Sequence, residues 1–400
     1  MRIEEESGAA ALNTDGEEAH SWHALVPEVA LARLLAGEAA AARSPDGFSR
    51  PGCLAAATAV ARRRDDTVLF ATCGSGRSQW ILPLRIERSF GIAQAVPLAA
   101  PLGQYAPEPP DTLTADTLSR LAEWLRAEQG CDLLVLRRVR ETNPLAVLLE
   151  QAGAVKSQQS ETLCVDLAAF GDFESYQQSF SSKKRANWRR DLRRLEDEGE
   201  VSFEVVPGSD AGDVLRTAIA WKRAWLDDFG VRSPVIHSEA WGDALVECAA
   251  AGHGHVSILS VDDRAVAVEL GFVEDGDYVA YMGAFEPSFG KLSVGQEQMR
   301  RTIKWCFERG FGRYDLLPPP DEYKRYWCRD RTGIAVADYA LSLSIAGSAA
   351  SFAHGRLRPL ARNLVLSAPA GMRKALLGRN RSRSNRTVTG IVLALTWSCL

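Results

Sequence analysis

The sequence predicts an α/β chain of two domains, each built around a mixed sheet. Two observations carry that expectation. A length of 400 residues with 46% hydrophobic and 24% charged content suits a globular chain of two ordinary domains. The order hairpin, helix, strand also occurs twice along the chain, as a repeat of pattern rather than of side-chain identity.

In the first copy, TVLFATC (67–73) and QWILPLRI (79–86) flank the turn Gly74-Ser75-Gly76, as β-branched and apolar runs flank a hairpin turn. A Pro-rich loop, APLGQYAPEPPD, follows. Leu118, Leu121 and Leu125 then fall at helical spacing over 113–128, ahead of the apolar strand DLLVLRRV (132–139). A second helix is expected over 143–152, with Asn143 as cap and Pro144 at its first position.

In the second copy, HVSILSV (255–261) and AVAVELGFV (265–273) flank Asp262-Asp263, and Asp275-Gly276 turns the chain into YVAYMGAF (278–285). Met299, Ile303 and Cys306 give a helix over 294–309, and RYDLL (313–317) the closing strand. The resulting plan is an acidic, disordered stretch over 1–20, a first domain over 21–180, a second over 181–345 and a basic tail over 346–400. The Pro-rich loop has no phosphate-turn pattern, so the first domain is expected to be structural.

Eight scattered cysteines, with no CxxC and no metal-like pairing with the six histidines, read as reduced thiols and give no metal site. MRIEEESGAA lacks the basic-then-apolar order of a signal peptide, and the apolar GIVLALTWSCL falls short of the roughly 20 residues that span a bilayer. A cytoplasmic protein is expected. The net charge of −4 hides an asymmetry: residues 1–20 carry six acids against one Arg, and residues 339–400 carry nine basic residues and no acid. The body between them is therefore acidic, which disfavours DNA as a partner.

Nucleophile chemistry has no support, since no GxSxG elbow is present and no Cys stands beside a His in a catalytic context. His253-Gly-His255 reads as a loop entering a strand rather than a metal pair. GKLS (290–293) ends like a phosphate loop, but Phe285 stands where its first Gly belongs and Leu292 where Ser or Thr belongs. What remains is a strand-to-helix turn, FGKLSVGQ, whose backbone N–H groups suit a phosphate or pyrophosphate. A capping box between Ser293 and Gln296 would compete for those donors.

YDLLPPPDEYKRYW (314–327) brings Asp315, Tyr323, Lys324 and Trp327 to a strand end, where α/β proteins collect ligand groups. A surface loop with a packed Trp is the plain alternative. Ahead of it, SSKKRANWRRDLRRLEDEGE (181–200) sets seven Lys or Arg between Lys183 and Arg194. Trp188, Leu192 and Leu195 form its packing stripe, and Arg193 and Arg194 have Asp197 and Glu198 one turn on. Lys183, Lys184 and Arg185 oppose the helix dipole in the first turn, a conflict that a bound anion would offset.

LSVGQEQMRRTIKWCFERGFGRYDLL and DEYKRYW, preceded by YMGAFEPSFG and joined by SSKKRANWRRDLRRLEDEG and WKRAWLDDFG (221–230), resemble the acetyltransferase family associated with cellulose and exopolysaccharide biosynthesis. That family is a branch of the GNAT N-acyltransferases. The resemblance spans roughly 20–340 and is sharpest over 181–327. It implies two tandem GNAT-like domains, as in the related Fem-type aminoacyltransferases, and acyl-CoA, acetyl-CoA or longer, as co-substrate. The CoA pyrophosphate would sit at Gly290, Ser293, Val294, Gly295 and Gln296.

The reaction implied is direct acyl transfer to an amine or hydroxyl of a sugar or polysaccharide precursor. Asp315 would orient or deprotonate the acceptor, Tyr323 would protonate the leaving thiolate, and Lys324 would stabilise charge. Trp225 and Tyr281 would line the acceptor groove, with Lys183, Lys184, Arg185 and Trp327 as further substrate contacts. Ser293-Val294-Gly295 stands where the family commonly has Ser-Pro-Gly, and Asp315-Leu316-Leu317-Pro318-Pro319 where it has Asp-Phe-Leu-x-Gly.

Two alternatives stand beside this reading. One is an aminoacyl-tRNA-dependent transferase with RNA on the Lys183–Arg194 face, and the other a non-catalytic accessory of a polysaccharide synthase. HGRLRPLARNLVL and MRKALLGRNRSRSNR in the tail suit an anionic membrane surface on the cytoplasmic side, and equally a disordered tail.

Overall fold

Residues 22–352, apart from 42, 74–79, 90, 111–112 and 330–332, are described by a computed structural model. The first half runs β1 (His23–Leu25), α1 (Pro27–Leu35), β2 (Ala40–Ala41), α2 (Pro51–Arg63), β3 (Thr67–Cys73), β4 (Trp80–Ser89), β5 (Ile92–Pro97), α3 (Ala115–Ala127), β6 (Leu133–Arg140), α4 (Pro144–Gln151) and β7 (Val155–Thr162). The second runs β8 (Cys164–Asp166), α5 (Phe173–Gln178), α6 (Ser182–Glu196), β9 (Val201–Pro207), α7 (Gly212–Asp228), α8 (Glu239–Cys248), β10 (Gly254–Val261), β11 (Arg264–Glu274), β12 (Asp277–Phe285), α9 (Val294–Arg309), β13 (Arg313–Asp315) and α10 (Glu322–Trp327). β14 (Ile334–Ser342) and α11 (Ile345–Phe352) close the described chain.

Both halves fold to one plan. Three antiparallel strands (β3-β4-β5 and β10-β11-β12) lead into a helix, and the strand after that helix adds parallel to the third: β6 on β5, and β13 on β12. Each parallel pairing is brief. β13 pairs through Tyr278↔Tyr314 and Val279↔Asp315, after which β12 continues to Phe285 while the other chain turns away at Leu316. The sheet opens as a V at this point.

Local chemistry fixes the turns. Asp262 and Asp263 (φ 48° and 62°) join β10 to β11, and Asp275 and Gly276 (φ 50° and 80°) join β11 to β12; left-handed pairs of this kind suit two-residue hairpins. The turn expected at Gly74-Ser75-Gly76 lies outside the described residues, although β3 and β4 pair as the hairpin requires. Asn143 caps α4 by accepting from Leu145 N at 2.9 Å, and α9 covers the residues its periodicity indicates.

The division of the chain differs from the expected 21–180 and 181–345. β14 lies between β6 and β7 in the first sheet, and β8 lies beside β13 at the edge of the second. β14 thus joins the first sheet from the far end of the described chain, and β8, from before residue 181, joins the second. α2 and α8 pack across the junction, where Cys53, Ala57, Leu245 and Cys248 share one core with Phe48, Phe272 and Trp241.

Candidate active site

β12 ends in Phe285 and passes through a 3-10 turn (Pro287–Leu292) to Ser293, the residue before α9. Ser293 is left-handed (φ 59°), and its side chain makes no capping bond, so the expected capping box does not form. Its hydroxyl therefore takes none of the first-turn N–H groups that a helix leaves unsatisfied. Gly290 and Gly295 close on the ring of Phe285: a Cβ would lie 3.2 Å from its Cε2 in the first case and 3.4 Å from its Cδ1 in the second. Val294 is buried beneath the turn.

Gln296 instead accepts a 2.9 Å bond from Lys184 Nζ, which brings the start of α6 against the start of α9. The Lys184 ammonium also sits over the rings of Trp188 (5.5 Å) and Tyr326 (5.0 Å), and its burial lowers its pKa. The three first-turn cations separate here. Lys183 is exposed, while the Arg185 guanidinium turns back to the carbonyls of Gln178 and Phe180, closing the end of α5. Ser181 caps α6 by accepting from Lys184 N at 3.3 Å. Among the described residues Arg193 and Arg194 form no ion pair with Asp197 or Glu198; Arg193 Nε donates to Arg189 O instead.

Trp327 is not a substrate contact. It is 1% exposed and stacks on Trp188, with centroids 5.6 Å apart and planes 18° apart, to anchor α6 on α10. Tyr281 packs against Phe48 and Phe272 and donates to Leu102 O at 3.0 Å, so it joins the halves. Trp225 remains open to solvent, at 42% exposure.

Asp315 is 1% exposed and accepts four bonds: from Tyr105 Oη (2.8 Å), Arg140 Nη2 (2.8 Å), Thr162 Oγ1 (2.6 Å) and Leu317 N (2.8 Å). A carboxylate so occupied has no free lone pair facing an acceptor, so its place is structural rather than that of a base. Tyr323 is 45% exposed, yet its hydroxyl donates to Met299 Sδ at 3.0 Å, and burial of the hydroxyl pushes the phenol pKa upward. Lys324 Nζ donates to Leu317 O (2.7 Å) and Pro319 O (2.8 Å), and burial pushes its pKa down to about 8.

A polar layer under α9 was not anticipated. Glu269, in the middle of β11, accepts from Tyr314 Oη (2.8 and 2.7 Å) and from Tyr278 Oη (3.3 Å), and burial pushes its pKa up to about 7. Gly271 makes room for this: a Cβ there would lie 2.0 Å from Tyr278 Cζ. Beside it, Ser257 Oγ accepts from Gln298 Nε2 (2.5 Å) and Thr302 Oγ1 (2.8 Å). An acid at the centre of AVAVELGFV was the sequence signal for it.

Two tandem units, each with a V-shaped opening between its third and fourth strands, define a GNAT-like fold. Residues 182–325 match the family model described as an acetyltransferase (GNAT) domain. FemX superposes with a TM-score of 0.52 at 11% identity, covering 80% of this chain and 97% of that one. A conserved protein of unknown function from Bacteroides thetaiotaomicron gives 0.50 at 12% identity, with coverage of 78% and 97%. No curated protein matches the chain in sequence. At such identities what is shared is the fold. Among the described residues no cluster of His, Cys, Asp and Glu is placed to hold a metal ion, and no helix is long and apolar enough to cross a membrane.

Proposed function

We propose that the chain transfers an acyl group from acyl-CoA directly to an amine or hydroxyl of a sugar or polysaccharide precursor. The observation that carries this reading is the turn before α9, left uncapped by Ser293 and faced by Lys184, inside the segment that matches the GNAT domain. Backbone donors, a helix N-terminus and one desolvated ammonium suit the CoA pyrophosphate. The thioester would then enter the V between β12 and β13.

Attack by the acceptor on the thioester carbonyl forms the new C–N or C–O bond and breaks C–S; the acceptor releases its proton to solvent, and the thiolate takes one from a side-chain donor that solvent then reprotonates. Tyr323, on α10 facing Met299 of α9, is the donor we assign. Asp315 has no chemical role in this scheme. Catalysis rests mainly on positioning.

A second reading follows from α6, whose Arg189, Arg190, Arg193 and Arg194 are exposed. That face would suit the backbone of an aminoacyl-tRNA. Calorimetric titration of the full chain with acetyl-CoA and longer acyl-CoAs separates the two. Saturable acyl-CoA binding supports the first reading; salt-sensitive tRNA binding without acyl-CoA binding replaces it with the second. The proposed membrane contact of the basic tail lies outside the described residues.

A further inference from the structure

α6 is a cationic helix laid along the turn that precedes α9. Near its start Lys184 Nζ bonds Gln296 Oε1 at 2.9 Å, and near its end the buried Leu195 shares a small core with Phe289, Leu292 and Val294. Trp188, 6% exposed and stacked on Trp327, fixes the helix between these two contacts. At 3.6 residues per turn, Lys183, Arg189, Arg190, Arg193 and Arg194 fall within one arc of about 140°, opposite the side that carries Trp188 and Leu195. All five are exposed. The row they form is about 16 Å long.

Among the described residues, only Arg190 of these five has an acidic partner, Asp191 at 3.2 Å. Like charges at i,i+4, as in Arg189/Arg193 and Arg190/Arg194, destabilise a helix unless an anion neutralises them. The borders of the face indicate what kind of anion fits. Glu196, Asp197 and Glu198 are exposed on the next turn, so the cations stop abruptly and a uniformly anionic bilayer would meet both signs. The arc also offers no aromatic ring: Trp188 and the adjoining Phe180 are buried, which leaves nothing for an unpaired base to stack on. A compact acidic protein matches a bounded cationic patch and leaves the acids outside the contact.

We propose that this face docks an acidic carrier protein that presents the acyl group as a thioester on a phosphopantetheine arm. The inference deepens the acyltransferase reading and rests on it for the reaction, though not for the docking. Acyl-CoA and such a carrier share the thioester, the pantetheine and the phosphate at its end, so one turn can receive either. The backbone donors before α9 and the Lys184 ammonium suit that phosphate. Only the carrier brings an acidic surface to the outer side of α6. Transfer follows the course given above: the acceptor nitrogen or oxygen bonds to the acyl carbon, C–S breaks, and the acceptor's proton passes to solvent. The arm's thiolate takes a proton and stays on the carrier.

The test is calorimetry on the full chain with acetylated holo-acyl carrier protein, its apo form without the arm, acetyl-CoA, tRNA, and ovalbumin as an unrelated acidic protein. At low salt the acetylated carrier should bind about 10-fold or more tightly than acetyl-CoA, and that margin should shrink as salt rises. Arg189→Gln, Arg190→Gln, Arg193→Gln and Arg194→Gln together, checked for unchanged thermal unfolding, should weaken both carrier forms about 10-fold or more and leave acetyl-CoA binding as it was. Arg193→Glu alone is the single-site version and should give a smaller loss of the same sign. The basic tail is common to parent and variants, so the difference reads α6. No carrier binding, equal affinity in the fourfold variant, or ovalbumin bound as tightly as the carrier overturns the inference. So does tRNA binding without carrier binding, which gives the face to the aminoacyl-tRNA reading. Carrier binding without acetyl-CoA binding would count against acyl-CoA as donor and leave the docking face standing.

Discussion

Arg140 Nη2 lies 2.8 Å from Asp315 Oδ2, joining the last parallel strand of the first sheet to that of the second. The guanidinium carbon also sits 4.1 Å from the centre of the Tyr105 ring, whose hydroxyl bonds the same carboxylate oxygen. Both partners of this pair are largely withdrawn from water, at 12% and 2% side-chain exposure.

Removing one partner of such a pair leaves a buried charge uncompensated, at roughly 3–5 kcal/mol. Asp315→Asn should therefore lower stability by about that much in urea denaturation, and Asp315→Asn with Arg140→Met should recover part of it. If the single variant kept full stability and lost only kcat, Asp315 would return to the chemistry.

Glu269 should make stability depend on pH. Its folded pKa of about 7 exceeds the reference value of 4.5 because burial disfavours the charged form. The folded state holds the proton more tightly, so the stabilising contribution is complete below about 4.5 and is lost as pH rises through 7. The full shift is worth about 3 kcal/mol. Glu269→Gln should be more stable relative to the parent at pH 8 than at pH 5, by a difference of that order in denaturant midpoints.

Gly271→Ala places a methyl group into the ring of Tyr278, whose own position is fixed by stacking on Tyr314 at 5.3 Å. Overpacking of this kind costs about 1–3 kcal/mol. Thermal unfolding should report the loss, and an unchanged midpoint would show that the ring can move aside.

Lys184→Met should raise KM for acyl-CoA about 10-fold or more with little change in kcat, the effect of losing one charge-assisted contact. Lys183→Met, at an exposed position, is the matched control and should leave KM unchanged. Equal effects from the two would assign the first turn of α6 to general charge attraction.

Lys324 gives stability a second pH response. Burial holds its pKa near 8, with Lys222 and Arg138 lowering it and Asp321 and Asp315 raising it. The folded value lies below the ordinary 10.5, so the unfolded chain binds that proton more tightly, and the parent should gain stability relative to Lys324→Met as pH rises from about 8 to about 10, which urea denaturation at the two pH values would read.

What could be read from the sequence was local. α9 keeps its periodicity from Val294 to Arg309, and Asp-Asp and Asp-Gly mark two hairpins, because each signal lies within a few residues of its effect. The partners of Asp315 are Tyr105, Arg140 and Thr162, more than 150 positions away, and nothing in YDLLPPP indicates them. Trp327 looked available beside Lys324 because only the fold reveals Trp188 stacked against it. β8 spans three residues, too few for any period, and so the boundary it crosses was not visible. In the turn before α9, Ser293 and Gln296 have the spacing of a cap, but the left-handed backbone at Ser293 sends them to different tasks.

β14 enters the first sheet in its interior, with β6 on one side and β7 on the other. During synthesis, β6 must wait with an unpaired edge until nearly two hundred further residues have left the ribosome. Neither half can then mature as an independent unit. A fragment ending before residue 334 should expose the open edge of β6 and aggregate, so the two sheets stand or fall together in biogenesis as well as in chemistry.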